Sequence, residues 1–300
     1  MELWVFLSMA GALFQTVRFM LQKQLSQIKL SASGATFARF LYSAPLALGV
    51  AAIYLHTVGK GVPNLSIGFW AHGALGGTAQ ILATVFTVML FGRRNFAVGI
   101  TLKKTEVMMA ALIGMVFLGD MISAFGSIAL CIGLAGVLVL SGPIEVEGSF
   151  LRRLFTPSAI LGLSAGAFFG VSSVSYRAAS LTVSSADPFE RAIVTLAAVT
   201  MMQMIAMSVW LYFRDRPEIL RVLSTWKTAV FVGLTSLAGS FCWFAAFTLQ
   251  NAAYVKAVGQ IELIFGIAAA TLFFKEKITK REIAGMALVA TSIMVLVLWS

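Results

Sequence analysis

Charge is what this chain has least of. Of its 300 residues, only 11% are Asp, Glu, Lys or Arg, under half the ~25% usual in a soluble domain. That is too little polar surface to coat the two soluble domains its length would otherwise suggest. Histidine occurs twice, at His56 and His72, with no HExxH or other zinc spacing. The two cysteines, Cys131 and Cys242, lie inside apolar runs and make neither a disulfide framework nor a metal signature; they read as small buried hydrophobes. Neither GxGxxG nor a Walker A stretch is present, so this chain alone makes no ATP-driven pump. The start, Met1-Glu2-Leu3-Trp4-Val5, has no basic n-region and no small-residue cleavage site after it. A removed signal peptide is not expected.

What fills the space is apolar. Hydrophobic residues are 59% and mean hydropathy is +0.93, the composition of an integral membrane protein. A spanning helix needs about 20 mostly apolar residues. Ten stretches of that kind follow one another, near 3–22, 33–55, 67–91, 96–118, 121–141, 158–180, 187–212, 227–249, 252–274 and 282–299. The runs are continuous and twice the length of an alternating barrel strand, so helices are expected. Connections are short. The longest are 142–157, with Arg152-Arg153, and 213–226, with Arg214-Asp215-Arg216-Pro217.

The scarce charge is also lopsided, with 22 Lys and Arg against 12 Asp and Glu, a net +10. Such an excess is often a nucleic-acid signal. Placing the residues removes that reading. Fourteen of the bases fall in loops on the side opposite the N-terminus, and the N-terminal side has only Lys60. Basic loops mark the cytoplasmic side, so both termini are expected outside the cytosol and no nucleic-acid partner is expected.

Shifting the chain by 156 residues aligns 76–141 with 232–297 without a gap. Asn95 then meets Asn251, Glu106 meets Glu262, Asp120 meets Glu276, and Thr84 meets Ser240. Farther upstream, Phe37-Ala38-Arg39 resembles Phe189-Glu190-Arg191. Five helices is an odd number, so the second half enters the membrane upside down relative to the first. The expected fold is an all-α membrane protein of ten transmembrane helices in two inverted five-helix repeats, 1–141 and 158–300, joined by a cytoplasmic loop at 142–157. Inverted repeats of this kind are common in secondary transporters, with a substrate site near the midplane between halves.

The ends of the fourth and ninth spans, Leu102-Lys103-Lys104-Thr105-Glu106 through Phe117-Leu118-Gly119-Asp120, and Gly259-Gln260-Ile261-Glu262 through Phe273-Phe274-Lys275-Glu276, carry a family resemblance. With Gly285 in the last span and Arg39 and Arg191 in the second span of each half, the chain resembles the EamA-type branch of the drug/metabolite transporter superfamily. The resemblance implies an inner-membrane carrier. That family exports amino acids and related metabolites, and its relatives move nucleotide sugars and sugar phosphates. Glu106 and Glu262 depart from the pattern, standing where many relatives have proline or a small residue.

Seven bases (Arg18, Arg39, Lys103, Lys104, Arg177, Arg191, Lys256) and three acids (Glu106, Glu190, Glu262) fall inside spans. Charges there are costly and mark functional sites by default. Glu106 and Glu262 lie about 15 Å into their helices, near the midplane. Lys103 and Glu106 are three apart and share a face, open either to an internal pair or to cavity lining; Lys104 points about 100° away. Lys256 shares a face with Gln260. Arg39 and Arg191 present forks suited to carboxylates or phosphates. Two polar stripes mirror each other, Gln80-Thr84-Thr87 and Ser236-Ser240-Trp243. The candidate substrate-binding residues are therefore Arg39, Gln80, Thr84, Lys103, Glu106, Arg191, Ser240, Trp243, Lys256, Gln260 and Glu262. The excess of bases favours a small anion or zwitterion, such as an amino acid or a derived organic acid, moved by alternating access, with protons or a counter-substrate as possible partners. A phosphorylated, nucleotide-like or vitamin-like solute is the alternative. An intramembrane enzyme, for which no histidine lies in a central segment, or a channel, which saturation and counterflow would distinguish, is more remote.

Overall fold

In the computed structural model, residues 2–94, 96–107, 109, scattered positions between 125 and 139, 156–250 and 252–298 are described. Their regular structure is helical. The first half contributes α1 (Leu3–Ile28), α2 (Ala32–Thr57), α3 (Ile67–Phe91) and the short α4 (Phe96–Lys103). The second contributes α5 (Pro157–Thr182), α6 (Pro188–Arg214), α7 (Arg216–Ser224), α8 (Trp226–Leu249), α9 (Ala252–Val258), α10 (Glu262–Ala268) and α11 (Lys280–Leu298). Among the described residues, α1, α2, α3, α5, α6 and α8 are long and apolar enough to cross a membrane. Each occupies the position of an expected span, and α11 stands where the tenth was expected. The fifth expected span, 121–141, is described only at scattered positions. Asp120 and the stretch 142–155 lie outside the described residues.

Local sequence explains where these helices begin. Ser31, Ser66 and Thr156 each accept a hydrogen bond from a backbone N–H three residues on, at Gly34, Phe69 and Ala159. Asp187 accepts from the N–H of Phe189, two residues on, and Pro157 and Pro188 open their helices where a missing N–H is harmless. α1 runs past its apolar stretch to Ile28 because its last turns find partners: Gln22 donates to the Ala35 carbonyl at 2.9 Å, and Lys23 pairs with Glu276.

The helices of one half pack chiefly on those of the other. α1 lies along α8, α3 along α5, and α2 crosses both α6 and α8. Small residues allow the close approach. A Cβ on Gly76 of α3 would come within 2.7 Å of the Tyr176 ring on α5, and one on Gly233 of α8 within 2.4 Å of Tyr42 on α2. Contacts at the two ends stay separate. At the basic end, Lys23 and the Phe96 N–H meet Glu276, Arg94 meets Glu282, and Ser31 meets Glu218. At the opposite end, Lys60 meets Glu190 and Tyr54 meets Asp187.

The fourth and ninth spans differ from the continuous helices expected. α4 stops at Lys103, and a turn at Lys104–Thr105 precedes helical Glu106. The ninth span tightens into a 3₁₀ turn at Gly259–Ile261 before α10 begins at Glu262. The two breaks fall at positions 156 residues apart, each directly before its glutamate. The backbone groups they release are taken up inside the protein, as a water-free interior requires. The Leu102 carbonyl accepts from the Thr105 hydroxyl at 2.8 Å, and the Gly259 carbonyl accepts from the Lys104 ammonium at 2.9 Å. Gly166 of α5 makes room for the first break, since a Cβ there would lie 2.3 Å from Thr105 Oγ1.

Candidate substrate site

The broken helices bring five charged side chains together. Glu262 accepts from Lys103 Nζ at 2.8 and 3.0 Å, lies 2.7 Å from Lys104 Nζ, and accepts from Gln15 Nε2 of α1 at 2.9 Å. Glu106 faces Lys256 Nζ at 3.3 Å and Lys104 Nζ at 3.7 Å. Lys103, Lys104, Glu106 and Glu262 are at most 1% exposed. The sequence allowed an internal Lys103–Glu106 pair, but Lys103 pairs instead with Glu262 of the other half. Lys104, placed 100° away on an ideal helix, reaches the same carboxylate because the helix unwinds at that residue.

Beside this cluster lies a cavity between the two halves. Gln15 and Arg18 of α1 line it, together with Arg39 of α2 and Gln80 of α3. Across from them stand Ser236, Ser240 and Trp243 of α8 and Tyr176 of α5. Its free space is about 20 Å³, where one water needs ~10–15 Å³. The site is closed tightly around a volume smaller than a metabolite. Lys256 belongs to both places. It lines the cavity, pairs with Glu106, and sits 4.8 Å over the Trp243 ring.

Arg39, 1% exposed, is held by hydroxyls. Its Nε donates to Ser236 Oγ at 2.8 Å, Nη1 to Thr84 Oγ1 at 3.2 Å and Nη2 to Ser240 Oγ at 3.3 Å. Thr84 donates its own proton to the Gln80 carbonyl at 2.8 Å, which leaves its oxygen lone pairs to the guanidinium. Thr84, Ser236 and Ser240 of the two mirrored stripes thus converge on Arg39, while Thr87 turns back to the Ala83 carbonyl. The Gln80 side-chain oxygen accepts from the Tyr176 hydroxyl at 2.9 Å and from Gln203 at 3.0 Å. Arg18 is 2% exposed, and its Nε and Nη2 find no hydrogen-bond partner among the described residues. Among those residues, no carboxylate lines the cavity.

Residues 156–298 match the family model described as the EamA-like transporter family. Over these residues, just under half of the chain, the sequence is similar to that family. The match points to a membrane transporter, and the six long apolar helices are those of a multi-pass membrane protein. A solved crystal structure with 15% sequence identity covers 98% of this EamA-like chain and 96% of its own length, with a TM-score of 0.67, and so shares its fold. No curated protein matches the chain in sequence.

The candidate residues of this EamA-like chain do not all meet. Arg39, Gln80, Ser240, Trp243 and Lys256 line the cavity, and Thr84 holds Arg39. Lys103, Glu106 and Glu262 form the adjoining charge cluster. Gln260 bonds back to the Lys256 carbonyl at 2.8 Å and does not line the cavity. Arg191 stands apart at the non-basic end, where its Nε donates to the Ser185 carbonyl at 2.6 Å. The likeness of Arg39 and Arg191 in sequence does not extend to their surroundings. Arg177 is drawn to the end of α8, donating to the carbonyls of Phe247 and Gln250, a favourable place for a cation. Four site residues are absent from the sequence-based candidates: Gln15, Arg18, Lys104 and Tyr176. Gly11, Gln15 and Arg18 lie at i, i+4 and i+7, one face of a helix. That spacing is the signal for the first two.

Proposed function

We propose that the chain is a secondary transporter that carries a small anionic or zwitterionic metabolite by alternating access, as an exporter or exchanger. The observation that carries this reading is the closed cavity between the halves, whose buried Arg18 and Arg39 face no carboxylate among the described lining residues. Burying an uncompensated guanidinium is expensive, and an anionic solute would offset that expense.

The architecture we propose is ten spans in two inverted repeats, 1–141 and 158–300, linked by 142–157. Three features support it. α1 packs on α8 as α5 packs on α3, the exchange of partners that a two-fold axis relating the halves would produce. The fourth and ninth spans break at corresponding positions, as discontinuous helices at transporter sites do. The end contacts separate the basic loops from the others, consistent with an inner-membrane protein whose termini are outside the cytosol. Rocking of the halves would open the cavity to each side in turn. The saturation of Glu262 by Lys103, Lys104 and Gln15 speaks for exchange over proton coupling through that residue. A proton there would leave two buried ammonium groups facing a neutral carboxyl.

The test starts with a thermal-shift screen of purified protein against amino acids, organic acids, sugar phosphates, nucleotides and vitamins, since a ligand binding only the folded state raises the midpoint. Hits are then loaded into proteoliposomes. Saturable uptake of the labelled hit, accelerated by the same compound inside, is the expected result. Flux that does not saturate and ignores the internal solute overturns the carrier reading, and stabilisation by cations alone overturns the anion preference.

A further inference from the structure

We propose that the cavity selects an anion with a flat apolar ring and no ammonium group, an aryl carboxylate in preference to the corresponding zwitterionic amino acid. The inference rests on reading the cavity as the substrate site, and it names the solute more closely.

The first observation is the polarity of what is left unpaired. Among the cavity-lining residues, the buried polar atoms without a hydrogen-bond partner are Arg18 Nε, Arg18 Nη2 and Trp243 Nε1. All three are N–H donors, and a buried donor needs an acceptor. Nε and Nη2 of one guanidinium lie side by side, the edge that grips both oxygens of a carboxylate. A solute that supplies acceptors satisfies this site. One that supplies further donors does not.

The second observation is where the carboxylates are. Glu106 and Glu262 are the nearby acids, and neither lines the cavity. Both are turned toward ammonium groups, Glu262 toward Lys103 and Lys104, and Glu106 toward Lys256. A solute ammonium would therefore enter a space lined by Arg18, Arg39 and Lys256 and by no carboxylate among the described residues. Like charges at short range in a low dielectric repel strongly. The hydroxyls of Ser236 and Ser240, which otherwise suit an ammonium, already accept from Arg39.

The third observation is the apolar wall. Phe169, Tyr176, Trp243, Phe244 and Phe247 all line the cavity. Tyr176 and Phe244 lie with centroids 4.7 Å apart, and Trp243 and Phe247 stack at 6.0 Å. Parting such a pair exposes two aromatic faces, and a planar ring restores the contact better than an aliphatic chain. Aromatic faces on one side and a free guanidinium edge on the other match a ring carrying one carboxylate.

The experiment is counterflow in proteoliposomes with labelled 3-phenylpropionate. Unlabelled 3-phenylpropionate or phenylpyruvate inside should accelerate its uptake at least about tenfold more than phenylalanine or succinate does, as expected of a site that discriminates by an unpaired polar group. Phenylalanine that exchanges as well as phenylpyruvate overturns the exclusion of the ammonium. Better exchange by succinate or phenyl phosphate overturns the aryl carboxylate. In each of these cases the carrier reading stands; if no solute of the broad screen exchanges, the carrier reading itself fails. Arg18→Gln should abolish 3-phenylpropionate counterflow while remaining monodisperse, and Arg18→Lys should restore part of it. Parent-level counterflow in Arg18→Gln overturns the role given to the guanidinium fork.

Discussion

Two sets of buried charge adjoin in this molecule. In the cluster at the helix breaks, Lys103, Lys104 and Lys256 face Glu106 and Glu262, and every ammonium has a carboxylate within 3.3 Å. In the cavity, Arg39 is hydrogen-bonded only to hydroxyls, and Arg18 has two N–H groups without a hydrogen-bond partner among the described residues. Both sets carry positive charge in excess, yet the first is satisfied by the fold and the second is not. Satisfied charge across the two halves holds a conformation together. Unsatisfied charge in a cavity is stability withheld until a ligand of opposite sign arrives. Lys256, shared by the two, is the side chain through which an anion in the cavity would loosen the Glu106 pair.

The largest effect should come from breaking the satisfied set. Glu262→Gln leaves Lys103 and Lys104 without their shared counter-charge, and unpairing a buried ion pair costs about 3–5 kcal/mol. Thermal or denaturant unfolding of the detergent-purified protein should show a loss of that order. The same operation on the unsatisfied set should come out differently. Arg18→Met removes a buried charge that has no carboxylate within ion-pair distance among the described residues, so unfolding should be no easier than in the parent while transport is lost. A large stability loss in Arg18→Met erases the distinction between the two sets.

A smaller effect tests the packing that joins them. A Cβ at position 259 would lie 2.4 Å from the Trp243 ring. Gly259→Ala should displace that ring and destabilise by about 1–3 kcal/mol, the usual range for overpacking, and should alter tryptophan fluorescence. The smallest effect belongs to Asp187, the cap residue just before the apolar helix Pro188–Arg214. The Tyr54 hydroxyl bonded to Asp187, helped by the Phe189 N–H, holds the Asp187 carboxyl below its ordinary value of 3.8. Its contribution is present above that value and is lost as pH falls through the lowered one. Asp187→Asn should therefore shift the unfolding midpoint slightly at pH 7 and by less at a pH below 3.8. An equal shift at both pH values would mean that the charge itself contributes nothing.

Much of the fold was legible because it depends on local chemistry. Apolar runs gave the spans, while the caps at Ser31, Ser66, Thr156 and Asp187 came from the structure. Glu106 and Glu262 stood out because a charge at such depth needs a reason. Helical geometry then misled at the point of interest. The angular separation of Lys103 and Lys104 assumes an unbroken helix, and the chain unwinds at Lys104. Arg191 matched Arg39 by position in its half, but it sits at the end of α6, within reach of the Ser185 carbonyl. Arg18 was visible as a charge, yet nothing in α1 says whether an acid waits across the interface.

The sequence by itself determined that this chain lives in a membrane, which of its loops are basic, and which charges must be buried, because hydropathy and charge position are additive and local. Only the tertiary structure decided which of those charges find a partner. Pairing depends on where helices from the two halves break and cross, and a residue's partner, such as Glu262 for Lys103, is 159 residues away along the chain.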